Sequence, residues 1–336
     1  MTHHSSGPQC PLVWLHHAPS SRADAGGKGA SLSQLAALGA PVPNAFALTT
    51  QAWRWFAISL GLPRRAMDVN ERDLPRVRAD IMTAPLQDFI AEAISDGYLA
   101  FQTLLGDDLA LAVRSSATTE DSSSFSFAGL HDTILDVRTP AALESAIRQC
   151  WASLWSDRAH AYRMVNGFAT ETAEIAVVVQ QLVRSDVSFV AFTTDPIHDR
   201  DDHLVITATW GLGEAIVSGL VVPDQVVVGA DGSILDYTIG GKHMMVIPGT
   251  GRDEGIRHVA VPRLLQSQPA LSREQVTAIT TMTRSLSARL GYEADLEGGF
   301  ADGSLYLFQA RPITTIAAQP PAVSMRLEEQ LSVSRQ

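Results

Sequence analysis

At 336 residues, with 46% hydrophobic and 18% charged residues and a net charge of −11, the chain has a globular composition with apolar material enough for two lobes. The acidic balance and the lack of any Lys/Arg block exclude a nucleic-acid groove, so an anionic substrate must be met by a few local cations. Cys10 and Cys150 lie in no metal-ligand spacing, no apolar run approaches about 18 residues, and the N-terminus carries no basic-then-apolar leader. A soluble, reduced, cytoplasmic protein with no membrane or nucleic-acid partner is therefore expected.

Residues 1–20 are rich in Ser, His and Pro and read as an N-terminal arm, with one apolar patch over 12–15. Ala25-Gly-Gly-Lys-Gly-Ala-Ser31 then leads into Leu32, Leu35, Ala36 and Leu38 at helical spacing. A Gly-rich turn thus opens a helix, with Lys28 as a mobile charge at its positive end. A phosphate seat and a plain helix entry both fit this pattern, although the GxxxxGK[ST] spacing is absent. Gly39 to Pro43 end the helix, and residues 48–105 read as mostly helical with breaks at Pro63, Pro75 and Pro85.

A short apolar strand over 109–113 delivers Arg114 into a Ser/Thr-rich loop that runs to Gly129. So many hydroxyls cannot pack a core, which leaves a phosphate lid or an exposed turn. A strand over 130–137 places His131 and Thr133 on one face. Thr139 and Pro140 start a helix with Leu143, Ile147, Cys150 and Leu154 on one side, ending near 156–158. Strands follow over 175–183, 187–193, 204–210 and 226–228, the first of them carrying Gln180, an amide suited to a base edge or to backbone groups. Ser272 and Gln275 form a capping box for a helix closed by Gly291.

The chain then turns to two strands, 293–297 and 302–312. Asp295 and Glu297 share one face of the first, and Gln309 and Arg311, also two apart, stand near the end of the second before Pro312. As a hairpin these would gather a carboxylate, an amide oxygen and a guanidinium. Oxygen ligands of that kind suit Mg²⁺ and a planar cation suits phosphate, while solvated strand-end charges would look the same.

Several of these stretches, in this order, carry a resemblance: Gly-Gly-Lys-Gly-Ala-Ser-Leu (26–32), Val-Pro-Asn-Ala-Phe (42–46), Arg-Ser-Ser-Ala-Thr-Thr-Glu-Asp (114–121), Ser-Phe-Ala-Gly (126–129), Gly-Leu-Gly-Glu-Ala-Ile-Val-Ser-Gly (211–219) and Leu-Phe-Gln-Ala-Arg-Pro-Ile-Thr (307–314). The chain resembles the N-terminal ATP-binding region of the phosphoenolpyruvate synthase, pyruvate phosphate dikinase and rifampin phosphotransferase family. The resemblance implies an α/β (α+β), ATP-grasp-like fold with ATP and Mg²⁺ in a cleft between two lobes, assigned to 21–185 and 186–316, with a tail over 317–336. It makes Lys28 and Arg114 phosphate-binding cations, places Gly129 and Thr133 in the phosphate loop, and puts Gln180 near the adenine. Glu297 and Gln309 become the Mg²⁺ ligands and Arg311 a cation on the transferring phosphate, with Glu214 and Lys242 as further cleft residues.

The implied activity is ATP-dependent phosphoryl transfer, to a histidine on a separate phosphohistidine-domain protein or directly to a small-molecule acceptor. A ligase forming an amide through an acyl phosphate, and a non-catalytic nucleotide-binding subunit, are the alternatives. Two departures from the family pattern stand out. No histidine has the Thr-x-His context of the phosphorylated domain. Phe189 stands where Gly is usual, and Gly298 where an aromatic is common.

Overall fold

The computed structural model describes residues 10–62, 71–106, 109–118, 133–166, 173–194, 203–249 and 255–313. Most of the Ser/Thr-rich loop, Gly129, His131, the turn at 199–202 and the expected tail lie outside the described residues. The mixed helix and sheet class expected from the sequence is the class observed, built on two antiparallel sheets of five and six strands.

The first sheet runs β1 (Leu12–Trp14), β2 (Ala45–Leu48), β5 (Ile175–Gln181), β3 (Leu111–Ala117), β4 (Thr133–Val137). Part of the expected arm is therefore its edge strand, paired to β2 from Leu12 to Trp14. The near-continuous apolar run of β5 follows from burial on both faces. Ile175, Val177 and Val179 enter a core covered by α2 (Thr50–Ser59), α3 (Leu74–Thr83), α4 (Asp88–Leu105) and α5 (Pro140–Ser153), whereas Val178 packs with Leu32 of α1 (Arg22–Ala37) on the other side. Thr139 caps α5 as its sequence predicts, accepting from Ala142 N at 3.2 Å, with Pro140 in the first turn. That helix stops at Ser153 rather than running on. Ser156 Oγ accepts from Ala159 N at 3.2 Å and starts α6 (Asp157–Asn166), a separate helix that the apolar pattern did not reveal.

The second sheet runs β13 (Ser304–Pro312), β12 (Ala294–Ala301), β6 (Val187–Phe192), β7 (Leu204–Trp210), β8 (Asp224–Val228), β9 (Ile234–Thr238). One face, with Phe189, Ile206, Val226 and Leu296, packs on Val276, Ile279 and Leu286 of α9 (Arg273–Leu290), whose expected capping box is present. The outer edge at β13 is not left open. Leu307 N donates to Pro41 O at 3.0 Å, Ser31 Oγ of α1 donates to Ala310 O, and Leu35 of α1 joins the second core.

Smaller elements complete the path among the described residues. After β7 comes α7 (Glu214–Val217), and the hairpin β10 (Met244–Pro248) with β11 (Ile256–Ala260) precedes α8 (Arg263–Gln266). Leu212, Ala215 and Val246 form a small core with Leu135 of β4 and Leu182. Asp136 of β4 holds the end of β10: its carboxylate accepts from Gly249 N at 2.9 Å and from Arg138 Nε at 2.6 Å, while Arg138 Nη2 donates to Gly249 O at 2.9 Å. The β10–β11 hairpin is thereby tied to the first sheet.

Candidate nucleotide cleft

Between the two sheets lies a cavity of about 190 Å³, bordered by residues of both. Its first wall begins at the Gly-rich turn. Gly26 adopts φ +69°, and a Cβ there would lie 1.9 Å from the carbonyl oxygen of Ser116, so only glycine lets α1 press this closely on β3. Gly29 N donates to Ser116 Oγ at 3.1 Å, and Lys28 Nζ donates to Ser115 O at 3.1 Å. Close packing against β3 is thus the turn's main structural task, and Lys28 is set at the border of the cavity.

Arg114 is the next residue of that wall. Its Nη2 donates to Gln309 Oε1 at 2.9 Å and to Glu297 Oε2 at 3.3 Å, and its Nη1 to Phe308 O at 3.2 Å. All three acceptors belong to the second sheet. The pair of Arg114 and Glu297 is largely enclosed, with side-chain exposures of 12% and 19%, so its attraction is screened less than that of a surface pair. Among the described residues, buried Arg114 Nε has no hydrogen-bond partner.

The opposite wall is the β12–β13 hairpin. Glu297 faces Gln309 and Asp295 faces Arg311 in register, and Arg311 Nε donates to Asp295 Oδ2 at 2.5 Å. A bulge makes this face possible. The register shifts between Glu297 and Gly298, so that Glu297 pairs with Gln309 but Gly298 pairs with Leu307, and Phe308 is the extra residue. In an unbroken strand Leu305, Leu307, Gln309 and Arg311 would all share one face. Here Leu305 and Leu307 turn into the second core, while Gln309 and Arg311 turn to the cleft. The extra residue also frees the carbonyl of Phe308 for Arg114, a contact that spacing in the sequence could not reveal.

Gln180, 2% exposed, borders the cavity, and among the described residues its side-chain nitrogen and the hydroxyl of Ser185, buried nearby on the connection to β6, have no partner. Donors left unpaired in a cleft mark where a ligand's acceptors fit. Thr133 stands opposite Arg114 in the β3–β4 ladder and also lines the cavity. Glu214, at the start of α7, lines it too; burial raises its pKa, against the opposing pull of His258 and Arg114. Lys242 is not brought to this cavity. It is fully buried in an ion pair with Asp224, which also accepts from Gly240 N at 2.8 Å, Ala270 N at 2.7 Å and the Tyr237 hydroxyl at 3.2 Å. Burial, with the Asp224 carboxylate beside it, pushes the Tyr237 hydroxyl up to about 12.

Lys28, Arg114, Thr133, Gln180, Glu214, Glu297, Gln309 and Arg311 therefore meet around one cavity. The model of the pyruvate phosphate dikinase AMP/ATP-binding domain matches residues 22–331. The chain belongs to that family. It is 37% identical over 318 residues to a probable phosphoenolpyruvate synthase of Methanothermobacter thermautotrophicus, covering 91% of this chain and 46% of that protein. It is 36% identical over 327 residues to a rifampicin phosphotransferase of Streptomyces sviceus, covering 93% and 36%. The chain thus spans less than half the length of these relatives. Among solved structures, D-alanyl-alanine synthetase A of Vibrio cholerae is similar at a TM-score of 0.33 and 14% identity, over 86% of this chain and 58% of that one.

The domain family binds AMP or ATP, and the residues around the cavity suit such a ligand. A divalent cation also finds a suitable pair of ligands. The Glu297 carboxylate and the Gln309 amide oxygen are cross-strand neighbours, close enough for Arg114 Nη2 to bond both. Among the described residues no cluster of three His, Cys, Asp or Glu side chains could hold a metal. Two oxygen ligands nevertheless fit Mg²⁺, which keeps several waters and takes the rest of its shell from phosphates.

Proposed function

We propose that this chain binds ATP in the cleft between its two sheets and transfers a phosphoryl group from it, with Mg²⁺ held by Glu297 and Gln309. The observation that carries this reading is the convergence of Arg114, from the first lobe, with Glu297 and Gln309 from the second. Phosphoryl transfer asks little covalent chemistry of a protein; it asks for charge neutralisation and in-line placement.

In this reading Lys28, Arg114 and Arg311 stabilise negative charge on the phosphates, with Thr133 and Gly129 donating to them. Gln180 takes the adenine edge from the base of the first sheet. Bound Mg²⁺ supplies further charge neutralisation on the phosphate oxygens. Glu214 closes the acidic side of the site, and Lys242 supports it from the interior through Asp224. The two lobes, 21–185 and 186–316, form an ATP-grasp-like pair that divides at Ser185. The acceptor is a small molecule or a histidine on a separate domain, and the setting is cytoplasmic.

The decisive experiment incubates the purified chain with Mg²⁺ and ATP labelled in each phosphate in turn, with and without candidate histidine-domain proteins and small acceptors. Label appearing on an acceptor, and lost in Glu297→Ala, is the expected result. An acceptor-dependent amide product would support ligase chemistry instead. Nucleotide binding with no turnover for any acceptor would leave a binding subunit.

A further inference from the structure

Gly298 is enclosed from two sides. A Cβ there would lie 2.5 Å from Cζ and 2.9 Å from Cε1 of Phe189, and 2.5 Å from the carbonyl oxygen of Tyr306. These approaches come from the two strands that flank β12. Phe189 is the register partner of Gly298 on β6, and Tyr306 directly precedes its partner Leu307 on β13.

The same residue marks the bulge, since the β12–β13 register shifts between Glu297 and Gly298. On this bulge depends whether Gln309 and Arg311 face the cleft or the core. Phe189 is 2% exposed and has Phe300 at 6.1 Å between ring centroids, yet it also borders the cavity. Its ring fills the space that a side chain at position 298 of β12 would occupy, on the face opposite the Glu297 side chain. With no side chain of its own to pack, Gly298 is held in place by a ring from the neighbouring strand.

We propose that Phe189 is a positioning residue for the cation end of the cleft: its ring over Gly298 fixes the bulge that sets Glu297 and Gln309 side by side, and so governs divalent-cation affinity in the presence of nucleotide. This rests on the reading of the cleft given above. A phenylalanine that merely fills the core would, when trimmed, weaken all ligand binding alike or only lower stability. One that positions the two oxygens acts selectively on the metal.

The test is calorimetric titration of the whole chain with a non-hydrolysable ATP analogue, in excess Mg²⁺ and in chelator, for the wild type, Phe189→Leu, Phe189→Ala and Gly298→Ala. Thermal unfolding of each variant is recorded alongside. In Phe189→Ala the Mg²⁺ concentration for half-saturation should rise about tenfold, as for loss of other groups that orient metal ligands, while analogue affinity in chelator changes less than about twofold. Gly298→Ala should shift the metal requirement in the same direction, and Phe189→Leu, which restores most of the volume, should lie between wild type and Phe189→Ala. Equal losses with and without Mg²⁺, or no change in either, would overturn the proposal. If Phe189→Ala fails to fold, Phe189→Leu decides on the same ratio. A wild type that binds the analogue without any Mg²⁺ effect would instead refute the metal assignment at Glu297 and Gln309, before any variant is compared.

Discussion

Arg114 Nη2 on the first sheet donates to Gln309 Oε1 on the second at 2.9 Å, and the same nitrogen reaches Glu297 Oε2 at 3.3 Å. One guanidinium therefore joins the two sheets at the point where the proposed phosphate and cation sites meet. Hydrogen bonds to charged groups contribute about 1.5–3 kcal/mol each, so Arg114→Ala should weaken ATP binding on the order of tenfold to a hundredfold. Arg114→Lys should recover little of it, because an ammonium cannot span three acceptors as the planar fork does. Titration calorimetry of both variants checks this, and a full recovery by Lys would show that charge alone matters there.

Lys242 should behave in the opposite way. Lys242→Met leaves the Asp224 carboxylate buried without its cation, and breaking such a pair costs about 3–5 kcal/mol. Urea unfolding should show that loss, while ATP affinity of the folded variant stays within about twofold of wild type. A large selective loss of affinity would place Lys242 in the nucleotide site itself.

Glu214 gives a pH signature. Its pKa is raised from 4.5, first by burial, so in the window above 4.5 the folded chain holds a proton that the unfolded chain has released. Stability then falls as pH rises through that window, because the native state binds the more protons. Glu214→Gln removes the titration. Its unfolding free energy should decline less than that of wild type from pH 4.5 upward, and at neutral pH it should exceed wild type. Denaturation curves collected across that range measure both effects.

Gly26→Ala should fail for a reason local to the turn. The new methyl would meet the Ser116 carbonyl in a backbone conformation that costs an L-residue about 1–3 kcal/mol even in open space. Loss of at least that much stability in denaturant titration is expected, with Lys28 displaced and ATP binding weakened in parallel. A neutral outcome would mean that α1 can lift away from β3 without cost.

Much of this arrangement is written in local patterns. The Thr139 cap, the Ser272 capping box and the apolar run of β5 are read by rules that act within a few residues, and the structure has each of them. The hairpin at the end of the chain was legible for the same reason. What stayed hidden depends on partners distant in sequence. The pairing of Lys242 with Asp224 requires the 240–242 turn to fold back on β8, and no periodicity records it. The bulge at Phe308 is likewise invisible, because Leu305, Leu307, Gln309 and Arg311 have one uniform spacing whichever face they take. The Gly-rich turn fitted a phosphate seat and a plain helix entry alike, and its tight contact with Ser116 of β3 is the part that no local pattern records.

The position of α1 has a mechanical consequence. Leu32 is embedded in one core and Leu35 in the other, Ser31 is bonded to β13, and Arg289 Nη1 of α9 donates to Leu38 O at 2.6 Å. The helix is thus packed against both sheets at once. Any change in the spacing of the two sheets has to strain these contacts, and Lys28 stands on the helix that carries them. The β10–β11 hairpin is held separately, through the bond from Gly249 N to the Asp136 carboxylate.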